Sequence, residues 1–364
     1  MSMKNFMAVV CGLTALAVCG GTSVWDVSVA DFQALPGEKG DTARIQRAVA
    51  AAGADGVVWF PRGDYRLDAM LVVSNGASLL LHKSARLSPL HEMPFLLTYW
   101  AQARPGTELL DHSLFIRGGV FDGAGLSGCV NLLGVRHFTF ADSLFRDGRG
   151  VGLQVGDATL KNANGYELIA NNLYFINRRA DLAGNVALLT YVGDSHFTDI
   201  IAIDWTVGIR TYGGNRFTRC HTWGGLVRDA SGVQTMLQGS IAFDVVGQAE
   251  SVFEDCYADT AQTGFAIHAA ARLLGCSYLN DYKSFKMDNV AVIRHYRGDL
   301  TVSDGRFRND VRTPHAVFYV REEGLRGQDI RRLKWRDNCV YGFSDEGLAD
   351  LRKTLATPSV PVDR

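Results

Sequence analysis

Two periodicities divide the chain. In "GDTARIQRAVAAAGADG" the apolar residues Ile45, Ala48, Val49 and Ala52 recur at helical spacing, Asp41 stands where an N-cap belongs, and Gly53 supplies the stop. A helix over 41–53 follows. After it the period shortens: "GVVWFPRGDYRL", "MLVVSNGASLLLHKSARL" and "HSLFIRGGVFDG" are short apolar runs punctuated by Gly, Asn and Asp, which reads as strands and turns. Helical spacing returns in "SDEGLADLRKTLA", where Ser344 is a candidate N-cap and Leu348, Leu351 and Leu355 share one side.

From about Val135 the strands repeat loosely. "VRHFTFADSLFRDGRGVGLQV", "DSHFTDIIAIDWTVGIRT", "NRFTRCHTWGGLVRDASGVQTML", "ESVFEDCYADTAQTGFAIH" and "GDLTVSDGRFRNDVRTPHAVFYV" each hold a strand with Phe or another apolar residue, a second short strand, an acid, a small loop and a third strand. Propeller blades would be regular and ~40 residues long, whereas these units are shorter and uneven. Three short strands per unit predict a right-handed parallel β-helix, in which each coil stacks on the last and buries like on like. Cys220, Cys256 and Cys276 follow Arg219, Asp255 and Gly275 at equivalent places and are expected to form an inward column. The fold expected is therefore all-β, one β-helix domain over 22–343. The N-terminal helix caps one end, and a short helix and tail over 344–364 close the other.

The motifs "ADFQALP", "GDTARIQRAV", "GVVWFPRGDYRL", "SLLLHKSARL" and "FIRGGVFDGAG" resemble the start of pectin-lyase-like β-helix proteins, polygalacturonase-type family 28 glycoside hydrolases in particular. The resemblance covers about residues 27 to 125. It implies the same fold and a polysaccharide as partner, and it makes Asp122 a turn residue in the family's Gly-Asp-Gly setting. Beyond residue 130 the sequence has no Asn-Thr-Asp-Gly, Gly-His-Gly or Arg-Ile-Lys motif, so no catalytic residue carries over.

Composition narrows the function. Lys plus Arg (37) and Asp plus Glu (38) leave a formal net charge of −1, which argues against nucleic acid and membrane surfaces as partners. Lys4, the apolar run Phe6–Cys19 and the small residues after it have the layout of a secretory leader over 1–21. A secreted or periplasmic monomer is expected, with a lipid anchor at Cys19 as the weaker alternative. The remaining cysteines, Cys129, Cys220, Cys256, Cys276 and Cys339, form neither a disulfide framework nor a metal-ligand spacing.

One acid precedes the third strand of each repeat: Asp147, Asp181, Asp204, Asp229, Asp259, Asp288 and Asp310. Asp often sits at such corners as a turn former. Stacked ~4.8 Å apart, such carboxylates would also suit the acid and base of a glycosidase. Asp204, Asp229 and Asp259 are the central members and the candidate catalytic residues. Gln154, Arg210, Arg228 and His268 alternate with apolar residues on or beside third strands, and Trp205 and Trp223 lie next to turns; these six are the candidate substrate-binding residues. Hydrolysis of an acidic or sulfated polysaccharide, without cofactor or metal, is the first expectation. The second is a lyase using Arg210 or Lys283 as base, with Ca²⁺ neutralising a uronate carboxylate. The third is a β-helix that binds glycans without catalysis.

Overall fold

The structure, a computed structural model, describes residues 24–100, 114–160, 165–178, 184–224, 226–228, 234–247, 249–280, 289–309, 316–321 and 333–356. Within them the chain winds into a right-handed parallel β-helix. One wall is a ten-stranded parallel sheet, from Leu71–Val73 at one end to Val317–Arg321 at the other. The strands of the other wall form one twenty-stranded sheet that turns through a corner. The only antiparallel pair among the described residues is the hairpin Leu226–Arg228 with Gln234–Met236.

The corner explains the spacing of acids and glycines. Gly118, Asp142, Asn172, Asp199, Arg219, Asp255, Gly275, Asp304 and Asp337 all have φ between 49° and 84°. The strand register stacks them one per coil. Left-handed backbone favours Gly, and after it Asn and Asp, whose short polar side chains bond locally. At Gly275 a Cβ would also meet Asp255 Oδ1 at 2.4 Å. Charges tie the rungs together: Arg219 grips Asp199 through Nε and Nη2 at 2.8 and 2.7 Å, and Asn172 Nδ2 donates to Asp142 Oδ1 at 2.8 Å.

Immediately past this corner the chain turns inward. Cys220, Cys256 and Cys276 are fully buried, and each Sγ donates to a carbonyl of the preceding coil, Phe197, Phe217 and Phe253 respectively, at 3.5, 3.4 and 3.3 Å. This is the inward column expected of them. Beside it Phe197, Phe217 and Phe253 stack at 5.0 and 4.8 Å, and Phe243 stacks on Phe265 at 5.0 Å. Those separations repeat the ~4.8 Å rise between parallel strands.

The first helix runs Thr42–Ala52 and packs Ile45, Ala48 and Val49 against the strands at the N-terminal end of the solenoid. Asp41 does not cap it in the usual way. Its carboxylate instead accepts from Arg44 Nε at 2.6 Å and from the Arg66 backbone N–H at 2.5 Å, tying the helix to a strand. At the other end Ser344 Oγ accepts from Gly347 N–H at 3.0 Å and caps a turn; the helix itself is Ala349–Ala356, with Leu351 buried and Leu355 exposed. Among the described residues no helix is long and apolar enough to cross a membrane. The leader-like segment lies outside the described residues.

Asp122 is a turn residue with a second task. Its Oδ1 accepts from Ala124 N–H at 2.9 Å, while Oδ2 lies 2.8 Å from Arg86 Nη2 and 3.8 Å from Arg146 Nη1, a buried carboxylate paired with partly exposed arginines.

Candidate functional site

The outer surface of the ten-stranded sheet gathers the polar groups. One outward column, read from the strand register, is Asn131, Gln154, Leu189, Arg210, Asp244, Ala266 and Arg294. A second column follows at the strand ends: Tyr191, Tyr212, Val246, His268 and Tyr296 each donate their backbone N–H to the preceding coil. The strand pattern puts positions two apart on one face, so the two columns lie side by side.

At their centre Arg210 Nε donates to Asp244 Oδ2 at 2.7 Å, and His268 Nε2 stands 3.7 Å from Asp244 Oδ1. Asp244 is nearly inaccessible, its side chain 4% exposed, whereas Arg210 and His268 are 30% and 32% exposed. Among the described residues Asp244 Oδ1 has no hydrogen-bond partner. A buried carboxylate oxygen left so is costly and is met where a site awaits a donor. The His268 ring stacks on Tyr296 at 3.9 Å, and Tyr191 stacks on Tyr212 at 4.6 Å. Burial is the largest influence on His268 and lowers its pKa; Asp244 opposes this, and Arg297 and Arg210 add to it. The imidazole is therefore neutral near pH 7. Burial raises the Tyr191 pKa. Next to these groups Val186, Leu189 and Val207 form a small buried apolar cluster of their own, apart from the main core, flanked by Val151, Tyr191 and Ile241. Apolar surroundings strengthen the charge interactions beside them.

The structure separates the residues singled out from the sequence. Gln154, Arg210 and His268 stand on this one surface; Gln154 Nε2 donates to Gly156 O at 3.1 Å and to Asp157 Oδ2 at 3.4 Å. Asp204 and Asp259 lie on the other wall and in different columns. Asp259 pairs in register with Trp223, which pairs with Ile203, so Asp204 falls one position later than Asp259. Asp204 has φ 63° at a corner, and Asp259 accepts from Thr260 Oγ1 at 2.5 Å, with His221 Nε2 at 3.8 Å. Trp223, half-buried, is also on that wall. Trp205 corrects the expectation of a sugar-stacking ring: it is 1% exposed and sits edge-on to Phe175 in the core. Asp229, like Asp181, Asp288, Asp310 and Lys283, lies outside the described residues, and of Arg228 only the backbone is described, paired with Gln234.

Asp244, Tyr191, Tyr212 and Tyr296 were missed. The signal for Asp244 was available: "VGIRT", "IAFDV" and "TGFAI" are equivalent strands, and aligning them puts Asp244 opposite Arg210. No group of three or more His, Cys, Asp or Glu among the described residues is placed to hold a metal ion.

No protein-family model matches the chain, and no curated protein matches it. Solved structures do. The A-module of the Azotobacter vinelandii mannuronan C-5 epimerase AlgE4 superposes with a TM-score of 0.58 at 14% identity, over 87% of this chain and 96% of that one. A tailspike protein mutant of E. coli bacteriophage HK620, in complex with a pentasaccharide, gives 0.59 at 13% identity over 87% of this chain and 63% of its own. ORF18 of Geobacillus virus E2 gives 0.54 at 13% identity over 86% and 60%. The chain thus spans less than two thirds of the latter two proteins. At such identities the likeness defines the fold alone: the chain is a parallel β-helix.

Proposed function

We propose that this protein is an exported carbohydrate-active enzyme that removes the C5 proton of a uronate unit in an acidic polysaccharide. The observation that carries the reading is the Arg210–Asp244–His268 constellation on the outer wall, with tyrosines on either side of it. A proton next to a carboxylate becomes removable when that carboxylate is neutralised and a base stands near it. In this reading an exposed Nη of Arg210 meets the uronate carboxylate, neutral His268 takes the proton, and a tyrosine hydroxyl, Tyr212 or Tyr296, serves the opposite side. For β-elimination the C5–H bond breaks, its electron pair forms the C4–C5 double bond, the C4–O bond breaks, and the leaving oxygen takes the tyrosine's proton. If a proton returns to C5 from the other face instead, the sugar is epimerised. That a mannuronan C-5 epimerase and an oligosaccharide-bound tailspike share the fold agrees with a saccharide substrate, and the leader-like first residues agree with a polymer met outside the cytoplasm.

Hydrolysis, the first expectation from the sequence, needs two carboxylates ~5 to 9.5 Å apart. On this surface Asp157 stands beside Gln154, three rungs from Asp244, or ~14 Å at the parallel-strand rise. That geometry favours proton abstraction.

The test is incubation of the purified chain with polymannuronate, polyguluronate and polygalacturonate in D₂O, following absorbance of unsaturated uronate, deuterium at C5, and reducing ends. Unsaturation or C5 exchange is expected, reduced about 10²-fold or more in His268→Gln, as befits loss of a general base. New reducing ends without either signal would assign hydrolysis instead. Silence in all three would leave a binding protein.

A further inference from the structure

A cavity on the other wall is unused by this reading. It has a volume of about 310 Å³ and is lined by His137, Thr139, Glu167, Ile169, Asp194 and His196, within the range of small-ligand sites. His137, Glu167 and Asp194 have φ of 50°, 61° and 51° and form a corner column of their own. Thr139, Ile169 and His196 stack in register at the starts of the strands Thr139–Arg146, Ile169–Ile176 and His196–Ile203. Two ladders thus converge on one hollow.

Its chemistry restricts the occupant. Glu167 Oε2 is already held by Arg136 Nε at 3.0 Å, with His137 Nε2 at 2.5 Å, and these contacts keep its carboxyl below the usual range. Asp194, His196 and Thr139 have no side-chain partner among the described residues. An anion would meet Asp194 with, among the described residues lining the cavity, no Lys or Arg beside it; an apolar ligand would bury that charge unpaired. The residues are not placed for a metal ion. What remains is a neutral ligand rich in hydroxyls: Asp194 accepts from a pair of them, the His196 ring and the Thr139 hydroxyl offer both a donor and an acceptor, and Ile169, 50% exposed, meets the apolar face of a ring.

We infer that this cavity is a second saccharide site, taking one neutral sugar unit. The choice of a saccharide rests on the polysaccharide reading above. Only Val192 and Gly193 separate Asp194 from Tyr191, so the cavity lies just round the corner from the tyrosine-lined edge of the first site. It holds a neutral branch or a neighbouring chain while the first surface works on uronate.

Histidine ring resonances test this, because His137 and His196 report on the cavity and His268 on the other wall. D-Glucose, D-galactose and D-mannose are titrated separately into the full chain. At least one is expected to shift the His196 and His137 signals saturably, with a millimolar Kd, while His268 stays in place. Asp194→Ala should weaken that binding about tenfold or more, as loss of a hydrogen bond to a charged group does. No shift with any of the three, shifts unaltered in Asp194→Ala, or shifts caused only by D-glucosamine or Ca²⁺ would overturn the proposal. A chain inactive on all polyuronates that still shows these shifts would sink the first reading and leave this one standing.

Discussion

Asp244 holds two neighbours in opposite ways. It anchors Arg210 at 2.7 Å through one oxygen and faces His268 with the other. Its charge raises the His268 pKa, while Arg210 lowers it. Asp244→Asn should therefore push the His268 pKa further down, and the acid limb of the pH–rate profile should move to lower pH with it. Arg210→Gln should move both upward. Ring titration of His268 by NMR checks the pair; equal directions in the two variants would mean that the ring does not sense this constellation. His295 presents the same physics without the site. It is fully buried, its Nδ1 lies 2.9 Å from the Tyr319 hydroxyl and its Nε2 2.9 Å from Gly298 O, and burial lowers its pKa. Since Gly298 O only accepts, Nε2 carries the proton and Nδ1 accepts from Tyr319. A His with a depressed native pKa takes up protons more readily when unfolded. Its contribution to stability is whole above the unfolded value of ~6.5 and declines as pH falls through that value toward the native one. Denaturant midpoints measured on either side of pH 6.5 should converge in His295→Phe relative to the parent chain; an unchanged pH slope would show that another group carries the acid sensitivity.

At the scale of the strand and the coil, stacking of like on like sets the energetics. Phe217 lies between Phe197 and Phe253 at 5.0 and 4.8 Å and is fully buried. Phe217→Ala opens a cavity on both sides and should cost about 3–5 kcal/mol, read as a shift in the urea midpoint at constant slope; a loss under about 1 kcal/mol would mean that the coils close over the gap. This level of structure was also the most legible in the sequence. The helix Thr42–Ala52 and the column Cys220, Cys256 and Cys276 could be read because each depends on local periodicity or on a residue beside a left-handed corner. The acidic ladder was legible only in part: Asp147 and Asp204 do share one column, one position past the register Arg146, Ile176 and Ile203. Corner loops differ in length, so an acid's distance from the next strand does not fix its column, and Asp259 falls one position away from that of Asp204. The fuller acidic column of this fold is at the other corner, where Asp142, Asp199, Asp255, Asp304 and Asp337 alternate with Asn172, Arg219 and Gly275 and are held there by backbone geometry. Asp244 escaped because it lies within a strand whose burial does not alternate: Ala242, Phe243 and Asp244 are all buried. Trp205 escaped because residues beside a turn can point either way, and only the stacked coils decide which.

For the molecule as a whole, the ends are the weak points. Interior coils pair both edges of every strand, whereas the terminal strands depend on what covers them. The two covers are unequal. The first helix buries Ile45, Ala48 and Val49 and is tied to the strand at Arg66 through Asp41, while the last buries Leu351 and leaves Leu355 47% exposed. In a solenoid each coil is stabilised chiefly by its neighbours, so damage to one cap should spread only as far as that coupling carries it. Ile45→Ala should cost about 2–5 kcal/mol locally. Amide exchange should then quicken in Val57–Phe60 and Leu71–Val73, which pack against that helix, and remain at its parent rate in Thr263–Ile267 and Ala291–His295. Equal acceleration in all four strands would show that the β-helix unfolds as a single cooperative unit, and the outer wall bearing Arg210, Asp244 and His268 would then lose its stability together with the cap.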